Sequence, residues 1–181
     1  MRMLPFRGCS PSFRPLLPLL LSLLLLGVTD AAAQSSNVWR GMVSTGLYYE
    51  RGLDATLSVE RETKYHNAWE FFFTGYLKWE TDEVAGHVTK KSFWNSYNTW
   101  CAGVACKPCV SRGRNRHGNL RLGASFGSDT DHFIAIIHVG YEHSYALKGG
   151  WALFWQVKEE VAICARDLFR TGGAVGIKVP L

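Results

Sequence analysis

The sequence predicts an all-β protein, an eight-stranded antiparallel up-and-down barrel of the outer-membrane kind behind an N-terminal signal peptide. Three observations lead there. A short apolar run near the N-terminus follows three arginines and ends in small residues. Hydrophobic alternation with the two-residue period of a strand recurs eight times in the rest of the chain. After Gln34 no apolar run approaches the roughly twenty residues a spanning helix needs.

The leader comes first. Arg2, Arg7 and Arg14 form a positive n-region, and the apolar stretch 16–28 is interrupted by Pro18. Ala31, Ala32 and Ala33 supply the small residues of a cleavage site, so residues 1–33 are read as a signal peptide and Gln34 as the mature N-terminus. At about thirteen residues the run is short for a membrane anchor. Cys9 lies upstream of it, which does not fit a lipoprotein. The leader holds three basic residues and one acidic residue, so the chain's net charge of +5 becomes +3 in the mature part. That is too mild for a nucleic-acid binder, which shows a strong basic stripe, and no direct nucleic-acid contact is expected. A hydrophobic content of 47% excludes a disordered chain and a bundle of membrane helices alike. Residues 34–181 are taken as a single barrel domain.

The strands follow in order, at 38–50, 52–61, 67–80, 93–107, 118–128, 131–144, 150–160 and 169–181. The clearest is 67–80. Trp69, Phe71, Phe73, Gly75, Leu77 and Trp79 share one face, opposite Glu70, Phe72, Thr74, Tyr76, Lys78 and Glu80. In 131–144, Phe133, Ala135, Ile137, Val139 and Tyr141 oppose His132, Ile134, Ile136, His138, Gly140 and Glu142. In 150–160, Trp151, Leu153, Trp155 and Val157 oppose Phe154, Gln156, Lys158 and Glu160. In 169–181, Val175, Ile177, Val179 and Leu181 oppose Arg170, Gly172, Gly176 and Lys178. A helix cannot divide residues this way, because its neighbours on one face are three or four apart. The connections are rich in Gly, Asp, Asn, Ser and Lys, as turns require.

Alternation does not say which face is outside, and a soluble lipocalin-like carrier is also an eight-stranded barrel. Three features favour a membrane barrel. The apolar faces are nearly free of charge, while the opposite faces mix long ionic residues with Gly and Ala. Trp39, Trp69, Trp79, Trp151 and Trp155 lie towards strand ends on the apolar faces, where an aromatic girdle belongs. The chain also ends within a strand on an apolar residue, Leu181, in place of the usual Phe. The expected surroundings are therefore outer-membrane lipid, in a double-membraned bacterium.

The expected site residues follow from these faces. Arg121, His138, Glu142, Lys158, Glu160, Arg170 and Lys178 are expected to form a polar network filling the barrel, which at eight strands is narrow enough for side chains to plug. The basic loop carrying Arg112, Arg114 and Arg116 is a candidate for gripping lipid phosphates or an acidic partner through bidentate contacts. Its alternative is a solvated loop. Export to an oxidising compartment suggests a disulfide among Cys106, Cys109 and Cys164, with free thiols as the alternative. The run Cys101-x4-Cys106-x2-Cys109 has iron–sulfur spacing, but Cys101 and Cys106 fall on opposite strand faces. No metal site and no cofactor are expected, since His132, His138 and Glu142 have no second cluster of ligands to converge with. Glu142, His143 and Ser144 are the parts of an acyl-transfer triad, which would suit a lipid A-modifying barrel enzyme. Strand neighbours point to opposite faces, however, so a non-enzymatic role is expected.

The C-terminal half carries a resemblance. Residues 107–115 read Lys-Pro-Cys-Val-Ser-Arg-Gly-Arg-Asn, and 122–125 read Leu-Gly-Ala-Ser. Residues 140–147 read Gly-Tyr-Glu-His-Ser-Tyr-Ala-Leu, and 168–172 read Leu-Phe-Arg-Thr-Gly. Together these resemble the small outer-membrane protein of conjugative transposons of the TraO type, over about half of the mature chain. The resemblance implies an exported barrel acting as a structural component of a conjugative DNA-transfer apparatus, alongside other envelope proteins of that machine. It implies no catalytic residues.

Overall fold

The computed structural model describes residues 38–80, 86–89, 93, 97–129 and 131–181. The expected signal peptide and its cleavage site lie outside these residues. The alternating segments form nine strands: β1 (Val38–Tyr48), β2 (Gly52–Glu62), β3 (Ala68–Lys78), β4 (Tyr97–Lys107), β5 (Cys109–Arg112), β6 (Arg116–Ser128), β7 (Phe133–Ala146), β8 (Ala152–Ile163) and β9 (Phe169–Pro180). Every long strand pairs antiparallel with its neighbours in sequence, β9 returns to β1, and β4 pairs with β6. The sheet is thereby closed into an eight-stranded barrel. The four-residue β5 is the continuation of β4 beyond Pro108, which lacks the N–H a ladder needs. The register of β5 on β6 shifts between Cys109 and Ser111.

Strand ends shift by up to four residues from the sequence reading, and two of the shifts move chemistry-bearing or aromatic residues. The fourth strand starts at Tyr97 and not at residue 93. The seventh starts at Phe133, which leaves His132 in the turn, its side chain 75% exposed, and not on the inner face with His138. Asp129 causes this, accepting the backbone N–H of His132 at 2.7 Å and of Asp131 at 3.2 Å in a side-chain-closed turn.

The register fixes the dimensions. Followed around the barrel, Trp39 lies opposite Arg61, then Trp69, Cys106, Leu122, Val139, Glu159 and Thr171, whose carbonyl accepts the N–H of Tyr49. The circuit returns ten residues along β1. A stagger of ten over eight strands sets the strand tilt at about 42°. On β3, Trp69 and Trp79 then bracket an apolar band about 25 Å tall, which is the height of the band on membrane barrels.

That band faces outwards. Val43, Leu57, Phe73, Trp100, Phe126, Val139, Leu153, Val157 and Val175 are all exposed, whereas the alternate positions are buried. An outer row of Trp39, Tyr145, Trp151 and Trp155 rings the terminal end, where β1 starts and β9 finishes, and Trp100, Phe126 and Phe133 ring the other. Inside, glycines make room for rings. A Cβ at Gly52 would fall 2.3 Å from the Tyr76 ring, and one at Gly176 would fall 2.5 Å from Phe154.

Candidate functional site

The lumen is built from charge. The buried ionic side chains sit at the even positions of β2, β3, β7, β8 and β9 and the odd positions of β4 and β6, which closure turns inward, while Arg61, Arg116 and Glu159 lie on the opposite face. Among the described residues Asp54, Glu60, Glu62, Glu70, Glu142 and Glu160 are buried, as are Lys107, Arg121, Lys158, Arg170 and Lys178. Arg40, half buried, supplies a sixth cation at the rim. Acids and bases therefore balance, as a low-dielectric interior demands.

The central layer is a chain of ion pairs. Lys107 Nζ lies 2.6 Å from Glu60, 2.6 Å from Glu142 and 3.3 Å from Glu70. Lys178 Nζ reaches Glu60 at 2.8 Å and Glu142 at 2.7 Å, and Arg121 Nε donates to Glu70 at 2.8 Å. The next layer holds Lys158 against Asp54, with Tyr48 donating its hydroxyl to Glu160 at 2.7 Å. Arg170 closes the lumen beyond, its guanidinium 4.1 Å from the Tyr76 ring centre. All seven network residues expected from the alternation thus point inward. Their side chains leave no channel: Arg170, Lys107, Lys178, Glu60 and Glu142 are each no more than 1% exposed. Cys101, Ile134, Ile136 and Ala162 form a small apolar cluster in the same interior.

The serine–histidine–carboxylate arrangement considered at 142–144 is not assembled. Ser144 donates to Glu142 at 3.2 Å inside the barrel, while His143 stands on the outer face, bonded to the Tyr141 hydroxyl at 2.9 Å and stacked on Trp155. A different trio meets inside. Ser125 Oγ lies 2.7 Å from His138 Nε2, and His138 Nδ1 lies 3.2 Å from Glu160. That contact is close but not aligned for a hydrogen bond. Ser125 has no exposure, so no acyl substrate can reach its oxygen.

The two mouths of the barrel differ in charge. The mouth where the termini lie carries Lys64, Arg112, Arg114, Arg116 and Lys148 around its turns. The three arginines sit on the exposed β5–β6 hairpin, closed by the N–H of Gly113 on the Arg116 carbonyl at 2.7 Å. Arg112 lies over the Tyr65 ring at 5.3 Å. The far mouth is acidic among its described residues, with Glu50, Glu80, Asp129, Asp131 and Asp167 against Arg51, Lys78 and Arg166. There, slight burial pushes the Asp129 carboxyl up, but the N–H donors of the turn and the Tyr97 hydroxyl outweigh it and hold it below the usual range.

The expected disulfide is corrected. Cys101, Cys106 and Cys109 are free thiols. Cys106 and Cys109 lie at the terminal mouth, whereas Cys164 sits in the β8–β9 turn at the far one. They are separated along the barrel by several residues of strand at about 3.3 Å each, far beyond the reach of a bridge.

One cluster escaped the sequence reading. Glu62, His66 and His117 each present a ligand-type atom within 4.8 Å of the others at the terminal mouth. The Glu62–His66 spacing is visible in the sequence, but the meeting with His117 depends on β6 closing against β4.

The chain matches no model of a known protein family and no curated protein sequence. Among solved structures, a de novo designed transmembrane β-barrel is 13% identical, with a TM-score of 0.48 over 82% of this chain and 98% of that one. Neisserial surface protein A (NspA) is 12% identical, with a TM-score of 0.50 over 81% of this chain and 98% of that one. The likeness to NspA is one of fold, and it makes this chain an eight-stranded barrel of the outer-membrane type.

Proposed function

We propose that the protein is an integral, non-enzymatic outer-membrane barrel with a closed lumen, and that it acts as a membrane-seated anchor for a partner in the envelope. One observation carries this reading: an apolar belt nearly free of charge surrounds a lumen filled with balanced ion pairs. A soluble carrier needs the reverse, an apolar cavity within a polar exterior. With the termini in the periplasm, the hairpin of Arg112, Arg114 and Arg116 faces that compartment and offers bidentate donors to an acidic envelope protein. The likeness of the C-terminal half to proteins of the TraO type makes a conjugative DNA-transfer machine the machinery of this reading.

The test is fractionation of a double-membraned bacterium expressing the full chain, followed by a gel of heated and unheated samples. A carbonate-resistant outer-membrane band that shifts on heating is expected. A soluble periplasmic band that does not shift overturns the reading. Reversal of Arg112, Arg114 and Arg116 to Glu, in a host carrying the element, should lower transfer frequency with the barrel still in the membrane. An unchanged frequency removes the hairpin from the mechanism.

A further inference from the structure

Three ligand-type side chains meet at the terminal mouth, outside the ion-pair layers that fill the lumen. Glu62 ends β2, His66 stands in the β2–β3 turn, and His117 opens β6. We propose that Glu62, His66 and His117 bind a divalent transition-metal ion, of which zinc is the best match, with a fourth position open to water.

The donor set is the first argument. Two imidazoles and one carboxylate are the protein ligands of open zinc sites, and imidazole favours zinc, copper and nickel over magnesium or calcium. The second is that the site is built. Arg40 Nε holds one oxygen of Glu62 at 2.8 Å, and the other oxygen meets His66 Nδ1. Asn119, itself buried, donates its amide to the His66 carbonyl at 2.6 Å. The N–H of His66 bonds to the Thr63 carbonyl, and Asn67 closes the turn on Thr63. These contacts hold His66 at a φ of 61°, a left-handed backbone that residues other than glycine rarely adopt. The result is an imidazole laid flat against that of His117, with ring centres 4.4 Å apart and planes within 9°.

A tetrahedral zinc wants donor atoms about 3.3 Å apart with each imidazole edge-on to the ion, so the 4.8 Å cluster must contract by about 1.5 Å and the His66 ring must turn out of its stack on His117. His66 can supply that movement, because its side chain is 42% exposed on a turn, while the Glu62 side chain is only 6% exposed. Both neighbouring cations are already paired with carboxylates. Arg40 is paired with Glu62, and Lys178 is held by Glu60 and Glu142. A bound ion would tie the β2–β3 turn to β6 across the seam where Pro108 breaks the ladder. It would stiffen the mouth that carries the basic hairpin. The site does not depend on which solvent faces the outer surface, so it stands or falls apart from the membrane reading.

The experiment titrates the full chain, folded in detergent and stripped with chelator, with zinc chloride alone in a calorimeter. One ion per chain is expected, together with a higher unfolding temperature in its presence. His66→Gln and His117→Gln should each abolish both effects, and Asn119→Ala should weaken binding by about tenfold, as loss of an outer-shell partner does. His143→Gln, on the outer face, should change nothing. Absence of binding overturns the proposal, as does binding that survives His66→Gln and His117→Gln. If His117→Gln does not fold, His66→Gln on its exposed turn decides alone.

Discussion

Replacing Lys107 with Met tests whether the lumen is as dry and as closed as its geometry implies. The ammonium lies 2.6, 2.6 and 3.3 Å from the carboxylates of Glu60, Glu142 and Glu70 and has no exposure. At an effective dielectric of about 20 these contacts are worth about 6, 6 and 5 kcal/mol, against a desolvation cost of several kcal/mol per ion. Met keeps most of the volume but leaves three carboxylates sharing Lys178 and Arg121, an excess negative charge with no water to receive it. Breaking a buried pair in this way costs about 3–5 kcal/mol. The assay is urea unfolding in lipid vesicles, with the folded fraction read from the mobility of unheated samples. The midpoint should fall with the slope unchanged. Adding Glu142→Gln restores neutrality, so the double variant should recover at least about 1 kcal/mol of the loss. A single-variant loss below about 1 kcal/mol, or strict additivity in the double, would mean that water enters and screens the lumen.

Two further expectations concern the outer and inner surfaces. Leu57→Arg, in the middle of the exposed face of β2, should destabilise the barrel in vesicles by about 2–4 kcal/mol, the depth-dependent cost of a lipid-facing charge. A variant as stable as the parent in the same urea titration would place that face in water. Gly52→Ala, whose Cβ would strike the Tyr76 ring at 2.3 Å, should lose about 1–3 kcal/mol. Gly75→Ala, with nothing within 4 Å of its Cβ on the outer face, should be neutral or gain up to about 1 kcal/mol. Equal effects at the two glycines would contradict the inward and outward faces described.

The two-residue period was enough to divide the chain into faces, because a strand's side chains alternate whatever its neighbours are. That is why Arg121, His138, Glu142, Lys158, Glu160, Arg170 and Lys178 were legible as one polar interior before any pairing was known. The same parity argument separated His143 from Ser144. Strand number and direction were legible too, whereas the side on which the basic hairpin lies was not, because one miscounted strand would move it to the other mouth.

What the sequence could not contain is register, since the partner of a residue across a ladder is set by the stagger of the closed sheet. Only closure placed Lys107 among the carboxylates of Glu60, Glu70 and Glu142, which come from β2, β3 and β7. Closure also brought His117 to Glu62 and His66, and the strand order set Cys164 at the opposite mouth from Cys106 and Cys109, where export to an oxidising compartment had suggested a bridge. Composition and alternation thus determined that this chain is a barrel with a charged interior. The stagger of ten around eight strands decided which charges meet, because contact across a barrel depends on height along its axis and not on distance along the chain.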